Sequence, residues 1–336
     1  MMQAFRLATF NLENLDWSGT KPEAFARRTD ALRPLLETLD ADILCLQEIH
    51  AQRRHKHDAR QYIALDRLLA TTRYANFHRA TTVRPGGDAP ADVHNLAILS
   101  RWPMRAQRQI HHDIVARWVW PPPRDADGSQ PEPVEIAWDR PLLYAAVELP
   151  NGGALHVVNL HLRAPRAIPI ATARGFGSSG AQIEGQFVAA LKREGQALEA
   201  RLFAETLFDA EPQAQIAIVG DFNADAHDAP TRLLRGGGDE AAEGERALVA
   251  LEERVAPSRR FTVVHAGRPT LIDHLLASRT LAANWRETTI LNDGLQDEVY
   301  AEEPVEGSLH APVCARFELV QNDRGAACEP ERAARA

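Results

Sequence analysis

The feature that most restricts this chain is a succession of short apolar runs, rich in Val, Ile, Leu and Phe, each of which stops at polar residues. They occupy residues 5–10, 42–46, 96–99, 142–149, 155–162, 215–219, 271–277 and 312–319. Such runs have strand length and fall far short of the roughly 18 to 20 apolar residues that cross a bilayer, so no membrane span is expected. Two intervening stretches carry a helical period instead. Residues 21–39 place Leu32, Leu35, Leu36 and Leu39 on one stripe, with Pro22 suited to a first turn. Residues 183–208 carry Phe187, Leu191, Leu198, Leu202, Phe203 and Leu207 and read as one long amphipathic helix. Strands interleaved with helices imply an α/β class.

The breaks between these runs do not divide the chain. Residues 121–133 hold Pro121, Pro122, Pro123, Pro131 and Pro133, which no helix or central strand accepts, and read as a surface insertion. Residues 84–92, 174–180 and 235–245 read as exposed loops. No break separates two complete sets of elements and no repeat is present. Residues 1–320 are therefore expected to form a single domain, with 321–336 as a loosely ordered tail.

Cys45 and Cys314 lie inside apolar runs, where they serve as small hydrophobes, and Cys328 lies in the tail; their odd count and spacing fit neither a disulfide framework nor a CxxC metal site. The N-terminus lacks the basic region and long apolar stretch of a secretory signal, so a cytoplasmic location is expected. The 38 Lys and Arg against 46 Asp and Glu leave a net charge of -8, which opposes unassisted attraction to nucleic acid unless a cation intervenes.

The chemistry gathers where the apolar runs end. The first ends in Thr9-Phe10-Asn11-Leu12-Glu13-Asn14, the second in Gln47-Glu48, others in Asn159-Leu160-His161 and Gly220-Asp221-Phe222-Asn223, and later come Ile272-Asp273-His274 and Ser308-Leu309-His310-Ala311-Pro312. Polar groups at strand ends of an α/β fold converge in one crevice although distant in sequence. In extended chain, Asp221 and Asn223 share a face while Phe222 points to the other, and Gly220 permits close backbone approach. Asp221 and Asn223 are then either a carboxylate–amide pair or a turn cap before the helix begun by Ala229-Pro230-Thr231. Glu48 closes a buried run, where a carboxylate is costly unless paired or bound to a cation. Asn159 and His161 share a face; His50, His55 and His57, irregularly spaced, suggest a loop. Together, Asn11, Glu48, Asp221 and Asn223 offer hard oxygen donors suited to Mg²⁺ or Mn²⁺. No HExxH, GxxxxGK[ST] or GxSxG pattern points to a zinc protease, a nucleotide triphosphatase or an acyl hydrolase.

These motifs, with Asn95-Leu96-Ala97-Ile98-Leu99-Ser100 and Ile272-Asp273-His274-Leu275-Leu276, stand in an order that resembles the endonuclease/exonuclease/phosphatase superfamily, from Phe5 to about Leu319. The resemblance implies a four-layer α-β-β-α sandwich of two mixed β-sheets flanked by helices, as in deoxyribonuclease I. It also implies one divalent-metal site, for Mg²⁺ or Mn²⁺, and hydrolysis of phosphodiesters or phosphomonoesters. By the same resemblance, Glu48 is the principal metal ligand and Asn11 its neighbour. Asp221 orients or deprotonates the attacking water, Asn223 holds that residue or the phosphate, and His161 donates to a phosphate oxygen. His310 stabilises the transition state with Asp273 as its orienting carboxylate, and Asn95, Asn159 and Arg163 are candidate phosphate or substrate contacts.

One position departs from the pattern. The family's last motif is usually Ser-Asp-His, and Leu309 stands where the Asp would be. The expectation is a working phosphodiesterase or nuclease. A phosphomonoesterase on a small or lipid-derived phosphate, or a weakly active or silent phosphate-binding relative, are the alternatives. The Trp-Cys-Asp-Arg segment of inositol polyphosphate 5-phosphatases is absent, and His274 stands where apurinic endonucleases favour an aromatic residue. Arg163, Arg166, Arg174, Lys192 and Arg193 form either a phosphate-reading rim or ordinary solvated charge; no basic stripe and no membrane partner are expected.

Overall fold

The structure is a computed structural model that describes residues 3–121, 128, 132–169, 179–236, 244–301 and 305–319. The chain begins with β1 (Gln3–Leu15), α1 (Pro22–Leu39), β2 (Ile43–Ile49), α2 (Ile63–Leu69), β3 (His78–Thr81), β4 (Asn95–Ser100) and β5 (Met104–Ile110). It continues through β6 (Trp118–Trp120), β7 (Val134–Ile136), β8 (Leu142–Glu148), β9 (Ala154–His161), α3 (Ser179–Ala210), β10 (Gln215–Asp221) and α4 (Ala229–Arg235). It closes with β11 (Leu248–Ala250), β12 (Val263–His265), β13 (Arg268–Thr270), β14 (Asp273–Ser278), α5 (Arg279–Ala282), β15 (Trp285–Ile290) and β16 (Val313–Leu319). No helix among the described residues is long and apolar enough to cross a membrane.

Two six-stranded mixed sheets carry the fold, in the orders β15-β16-β1-β2-β4-β3 and β11-β14-β10-β9-β8-β5. β1 runs parallel to β2 and antiparallel to β16; β10 runs parallel to β9 and antiparallel to β14. The period-2 alternation of each central strand explains the layers. Along β1, Phe5 and Leu7 face the second sheet while Ala8, Phe10 and Leu12 meet Leu32, Leu36 and Leu39 of α1. Along β9, Leu155 and Val157 face inward while Val158 and Leu160 pack with Phe203 and Phe208 of α3. The result is the α-β-β-α sandwich.

The same alternation aims the polar strand ends. Asn11, Asn159, His161 and Asp221 continue the inward-facing rows of their strands, so burial of the upstream Leu and Val residues fixes where these groups point. Parallel pairing puts the C-terminal ends of β1 and β2, and of β9 and β10, at one edge of the sandwich. Antiparallel pairing brings the start of β14 to the same place, with Asp273 opposite Asp221 in register. Of the expected insertion and loops, residues 122–127, 129–131, 174–178 and 237–243 lie outside the described residues, as does the tail with Cys328. Cys45 is buried and Cys314 half-buried, and burial raises both thiols, Cys314 to about 12, so neither is a reactive thiolate.

Candidate active site

Glu48 does not follow from strand alternation. In phase with Leu44 and Leu46, which face α1 and α2, it would point at the helices. The register of β2 shifts between Leu46 and Ile49, and Glu48 itself sits at φ 58°. This bulge turns its carboxylate into the crevice, a use of local irregularity common beside functional sites. There Oε1 accepts from Asn11 Nδ2 at 3.3 Å and Oε2 from the Asn14 amide at 2.9 Å. β1 is irregular at the same level, with Glu13 and Asn14 at φ 49° and 54° and the Glu13 amide donating to Asn11 Oδ1 at 2.9 Å.

Asp221 is the hub that joins the two sheets. Its Oδ2 accepts from Asn11 Nδ2 at 3.0 Å and from Asn223 Nδ2 at 3.2 Å, and lies 3.3 Å from His161 Nε2. Its Oδ1 accepts from the Asn223 amide at 2.8 Å, while Asn223 Nδ2 also donates to the Leu162 carbonyl at 3.1 Å. Asn223 thus holds the carboxylate in place, and Phe222 between them is fully buried in the helix-side core. Gly220 has the role its position suggested: φ is 138°, and a Cβ there would sit 1.9 Å from the Leu160 carbonyl oxygen. Burial, then the negative charge of Asp273, pushes Asp221 up to about 7.

On the opposite wall, His310 Nδ1 and Asp273 Oδ2 are 2.8 Å apart. Burial opposes charge on this ring, but the Asp273 carboxylate outweighs it and holds His310 well above the ordinary imidazole range. Ser308 anchors the segment by donating to the Asn11 carbonyl at 2.7 Å and accepting from the His310 amide at 3.0 Å. His161 has the opposite character: burial, then the nearby Arg140 guanidinium, holds it well below that range. Leu309 is buried and brings no donor atom.

Three residues not singled out from sequence complete the crevice. Glu13 Oε2 lies 3.9 Å from His310 Nε2, and burial raises its carboxyl. It stands two residues after Asn11 in the polar end of the first apolar run, but its φ of 49° departs from extended strand, so alternation alone does not aim it. His94, at φ 56°, places Nδ1 4.0 Å from Glu48 Oε2, its ring lying 6.0 Å from that of His161. Burial, then the charge of Arg140, pushes it down to about 4. Arg140 reaches His161 Nδ1. Neither His94 nor Arg140 belongs to a strand-end motif. His50 lies in the loop after β2, as expected, and bonds Asn14 Oδ1 through Nε2 at 3.2 Å.

Asn11, Glu48, His161, Asp221, Asn223, Asp273 and His310 are brought together, but Asn95 and Asn159 turn away from the crevice. Asn95 Nδ2 donates to the Ile49 and Ala91 carbonyls, both at 2.9 Å, and so ties a loop to β2. Asn159 Nδ2 donates to the Leu46 and Ala97 carbonyls at 3.0 and 2.9 Å, and its Oδ1 accepts from Gln47 at 2.7 Å. Both amides are used in joining strands and loops. Arg163 stands at the rim, paired with Asp139 at 3.3 Å; Lys192 pairs with the same carboxylate at 2.7 Å.

Two groups offer three ligand atoms within 4.8 Å of one another: Glu48, His94 and His161, and Asp221, Asp273 and His310. The oxygens of Glu48 and Asp221 are hard donors that fit a divalent cation with retained waters, while Asn11 turns its Nδ2 toward both carboxylates. Asp273 Oδ1, buried and without a hydrogen-bond partner, is a further acceptor.

The comparisons with known proteins agree with this architecture. No curated protein matches the chain in sequence. Among solved structures, a mannosyl-6-phosphatase from Bacteroides thetaiotaomicron superposes with a TM-score of 0.58 at 15% identity, covering 94% of this chain and 100% of that one. An endonuclease/exonuclease/phosphatase family protein from the same organism gives 0.58 at 15%, covering 95% and 96%. Truncated Caenorhabditis elegans TDP2 gives 0.54 at 14%, covering 94% and 97%. At these identities the likeness is one of fold. The sequence model of the endonuclease/exonuclease/phosphatase family matches residues 8–297, and the chain belongs to that family.

Proposed function

We propose that the protein is a divalent-metal-dependent phosphoester hydrolase, acting on phosphodiesters by direct attack of water. The observation that carries this reading is the convergence on Asp221, from both sheets, of Asn11, Glu48, Asn223 and His161, with the Asp273–His310 pair facing them. Glu48, with Asn11 beside it, would hold a Mg²⁺ or Mn²⁺ ion. Bound there, the ion would supply Lewis-acid stabilisation of charge on a phosphoryl oxygen.

The residues of the chain account for the remaining work. Asp221, raised to about 7, is poised near neutral pH to accept a proton from water, and its two bonds from Asn223 fix the direction from which it does so. His310, charged through Asp273, presents Nε2 to the crevice and stabilises negative charge that builds on the phosphoryl oxygens. His161 donates to a second such oxygen. The rim adds little positive charge, since Asp139 neutralises Arg163 and Lys192 in part. This favours a small phosphodiester over a long nucleic acid.

Purified protein supplied with Mg²⁺ or Mn²⁺ should hydrolyse a generic aryl phosphodiester, and Asp221→Asn and His310→Ala should each lose at least about a hundredfold in kcat. No turnover with any of several divalent metals, on diesters, monoesters, DNA or RNA, would overturn the reading. Cleavage of the aryl monoester alone would move the assignment to a phosphomonoesterase.

A further inference from the structure

We infer that Arg140 is a positioning residue that holds His161 in the neutral tautomer with the proton on Nε2, so that His161 serves the hydrolysis proposed above as a hydrogen-bond donor and not as a metal ligand. The inference starts from donor chemistry. A guanidinium has N–H donors and no acceptor, so an imidazole nitrogen bonded to it must present a lone pair. Arg140 Nη1 makes that contact with His161 Nδ1. The proton of the ring is then on Nε2. The other side of the ring agrees independently: Nε2 faces Asp221 Oδ2 at 3.3 Å and Glu48 Oε1 at 3.7 Å, both acceptors. A bare Nε2 would set a lone pair against two carboxylate oxygens.

The placement of Arg140 is itself built. It follows Trp138 and Asp139 just before β8. Trp138 Nε1 donates to the buried Glu199 at 2.6 Å, Asp139 pairs with Arg163 and Lys192, and the Arg140 carbonyl accepts from Gln196 Nε2 at 3.2 Å. Glu199 also accepts from the amides of His112, Asp113 and Ile114, at 2.9, 2.6 and 2.9 Å. Four bonds to one fully buried carboxylate thus fix the segment that delivers the guanidinium.

Two consequences follow. The two histidines of the crevice are set oppositely by their Nδ1 partners: a carboxylate for His310, a guanidinium for His161. And the group of Glu48, His94 and His161, although its ligand atoms are close enough for a cation, does not bind one through three residues, because the Nε2 lone pair it would need carries a proton.

The test reads the tautomer directly, without reference to activity. In full-length protein labelled with ¹⁵N-histidine and free of metal, two-bond ¹H–¹⁵N correlations identify each ring nitrogen, with His161 assigned from the spectrum of His161→Gln. The expected result is a protonated, pyrrole-type Nε2 and a bare, pyridine-type Nδ1, retained in Arg140→Lys, which keeps a donor. In Arg140→Glu, an acceptor at the same place should put a proton on Nδ1. A protonated Nδ1 in the unmodified protein, or a ring unaffected by Arg140→Glu in a variant whose melting curve remains cooperative, overturns the inference. So does a shift of His161 Nε2 to a metal-bound position when Zn²⁺ is added. In kinetics, Arg140→Met should lower kcat about 10- to 100-fold with little change in KM, with partial recovery in Arg140→Lys. If the unmodified protein hydrolyses no phosphoester, the functional reading fails while the NMR result still decides the tautomer.

Discussion

Replacing Asp221 by Asn should make the metal-free protein more stable at pH 8 while removing its activity, and the size of the gain follows from the site. Asp221 titrates at about 7 in the folded protein against 3.8 for an unperturbed group. For an acid, a raised folded value means that ionisation costs stability: the cost is absent below about 3.8, grows as pH rises and is complete above 7. The difference of 7 − 3.8, near 3 units, corresponds to ~4 kcal/mol at pH 8. An amide removes that cost but meets the donors of Asn11 and Asn223 with its own NH₂, forfeiting bonds worth ~2 kcal/mol. The net gain at pH 8 is ~2 kcal/mol, or about 3 °C in Tm for a domain of this size. At pH 5 the ionisation cost has fallen to ~2 kcal/mol, the two terms cancel, and the melting temperatures should coincide. Calorimetry in chelator-containing buffer at the two pH values measures this. A saturating divalent cation should abolish the gain by stabilising the wild-type carboxylates. An Asn variant equally destabilised at both pH values would refute the burial argument, and one that hydrolyses at the wild-type rate would refute the role of Asp221 as base.

Other perturbations probe the supports of the site. Gly220→Ala places a Cβ 1.9 Å from the Leu160 carbonyl oxygen at a φ of 138°, and should cost more than ~4 kcal/mol, read as loss of soluble protein or of the cooperative melt. His274 and Glu252 are both fully buried, joined at 2.6 Å, and His274 Nε2 donates to the Ala224 carbonyl at 2.9 Å, which pins the loop carrying Asn223. Glu252→Ala strands the histidine and should cost ~3–5 kcal/mol by urea denaturation. Burial opposes charge on His274 but Glu252 raises it above its usual range, so the pair's stabilisation is complete below about pH 6.5 and is lost as pH rises through the elevated value. The gap between wild type and Glu252→Gln should therefore narrow at high pH, and a widening gap would contradict the assignment. Leu309→Asp adds a carboxylate beside His310 and should raise apparent affinity for Mn²⁺ about tenfold by calorimetric titration. Unchanged affinity would show that this position does not limit the site.

The sequence made the middle of each sheet legible and left its margins dark. The eight apolar runs correspond to β1, β2, β4 and β16 and to β8, β9, β10 and β14, which are the interior strands of the two sheets. The strands it did not reveal among the two large sheets, β3, β5, β11 and β15, are the four edges. An edge strand buries little and needs no apolar run: β5 reads Met-Arg-Ala-Gln-Arg-Gln-Ile and β15 reads Trp-Arg-Glu-Thr-Thr-Ile. The site divides in the same way. Asn11, His161 and Asp221 continue the inward rows of buried strands, so periodicity aims them. Glu48 reaches the crevice only because a bulge breaks that periodicity, and nothing in Leu46-Gln47-Glu48 announces the bulge. Asn159 shows the converse: an inward-facing amide near a functional edge also serves to join sheets, and composition does not distinguish the two uses. Arg140 and His94 arrive from segments outside the strands, where no alternation constrains direction.

The net charge of -8 has little bearing on phosphate binding once the crevice is counted by itself. With every carboxylate ionised, Glu13, Glu48, Asp221 and Asp273 face three cations, Arg140, the His310 imidazolium and Arg28, whose guanidinium donates to the Leu12 and Glu13 carbonyls, which leaves 3 − 4 = -1. A divalent cation would bring the same group to +1, equal and opposite to one phosphodiester. The carboxylates that oppose an anion in the metal-free protein are thus the ones that recruit the charge needed to attract it. Burial first, and then repulsion from the neighbouring carboxylates, raises the titration of Glu13 and Asp221 in the metal-free protein. Substrate affinity should accordingly follow cation occupancy more steeply than ionic strength, because the charges that decide it lie in a shielded crevice and not on an exposed basic surface.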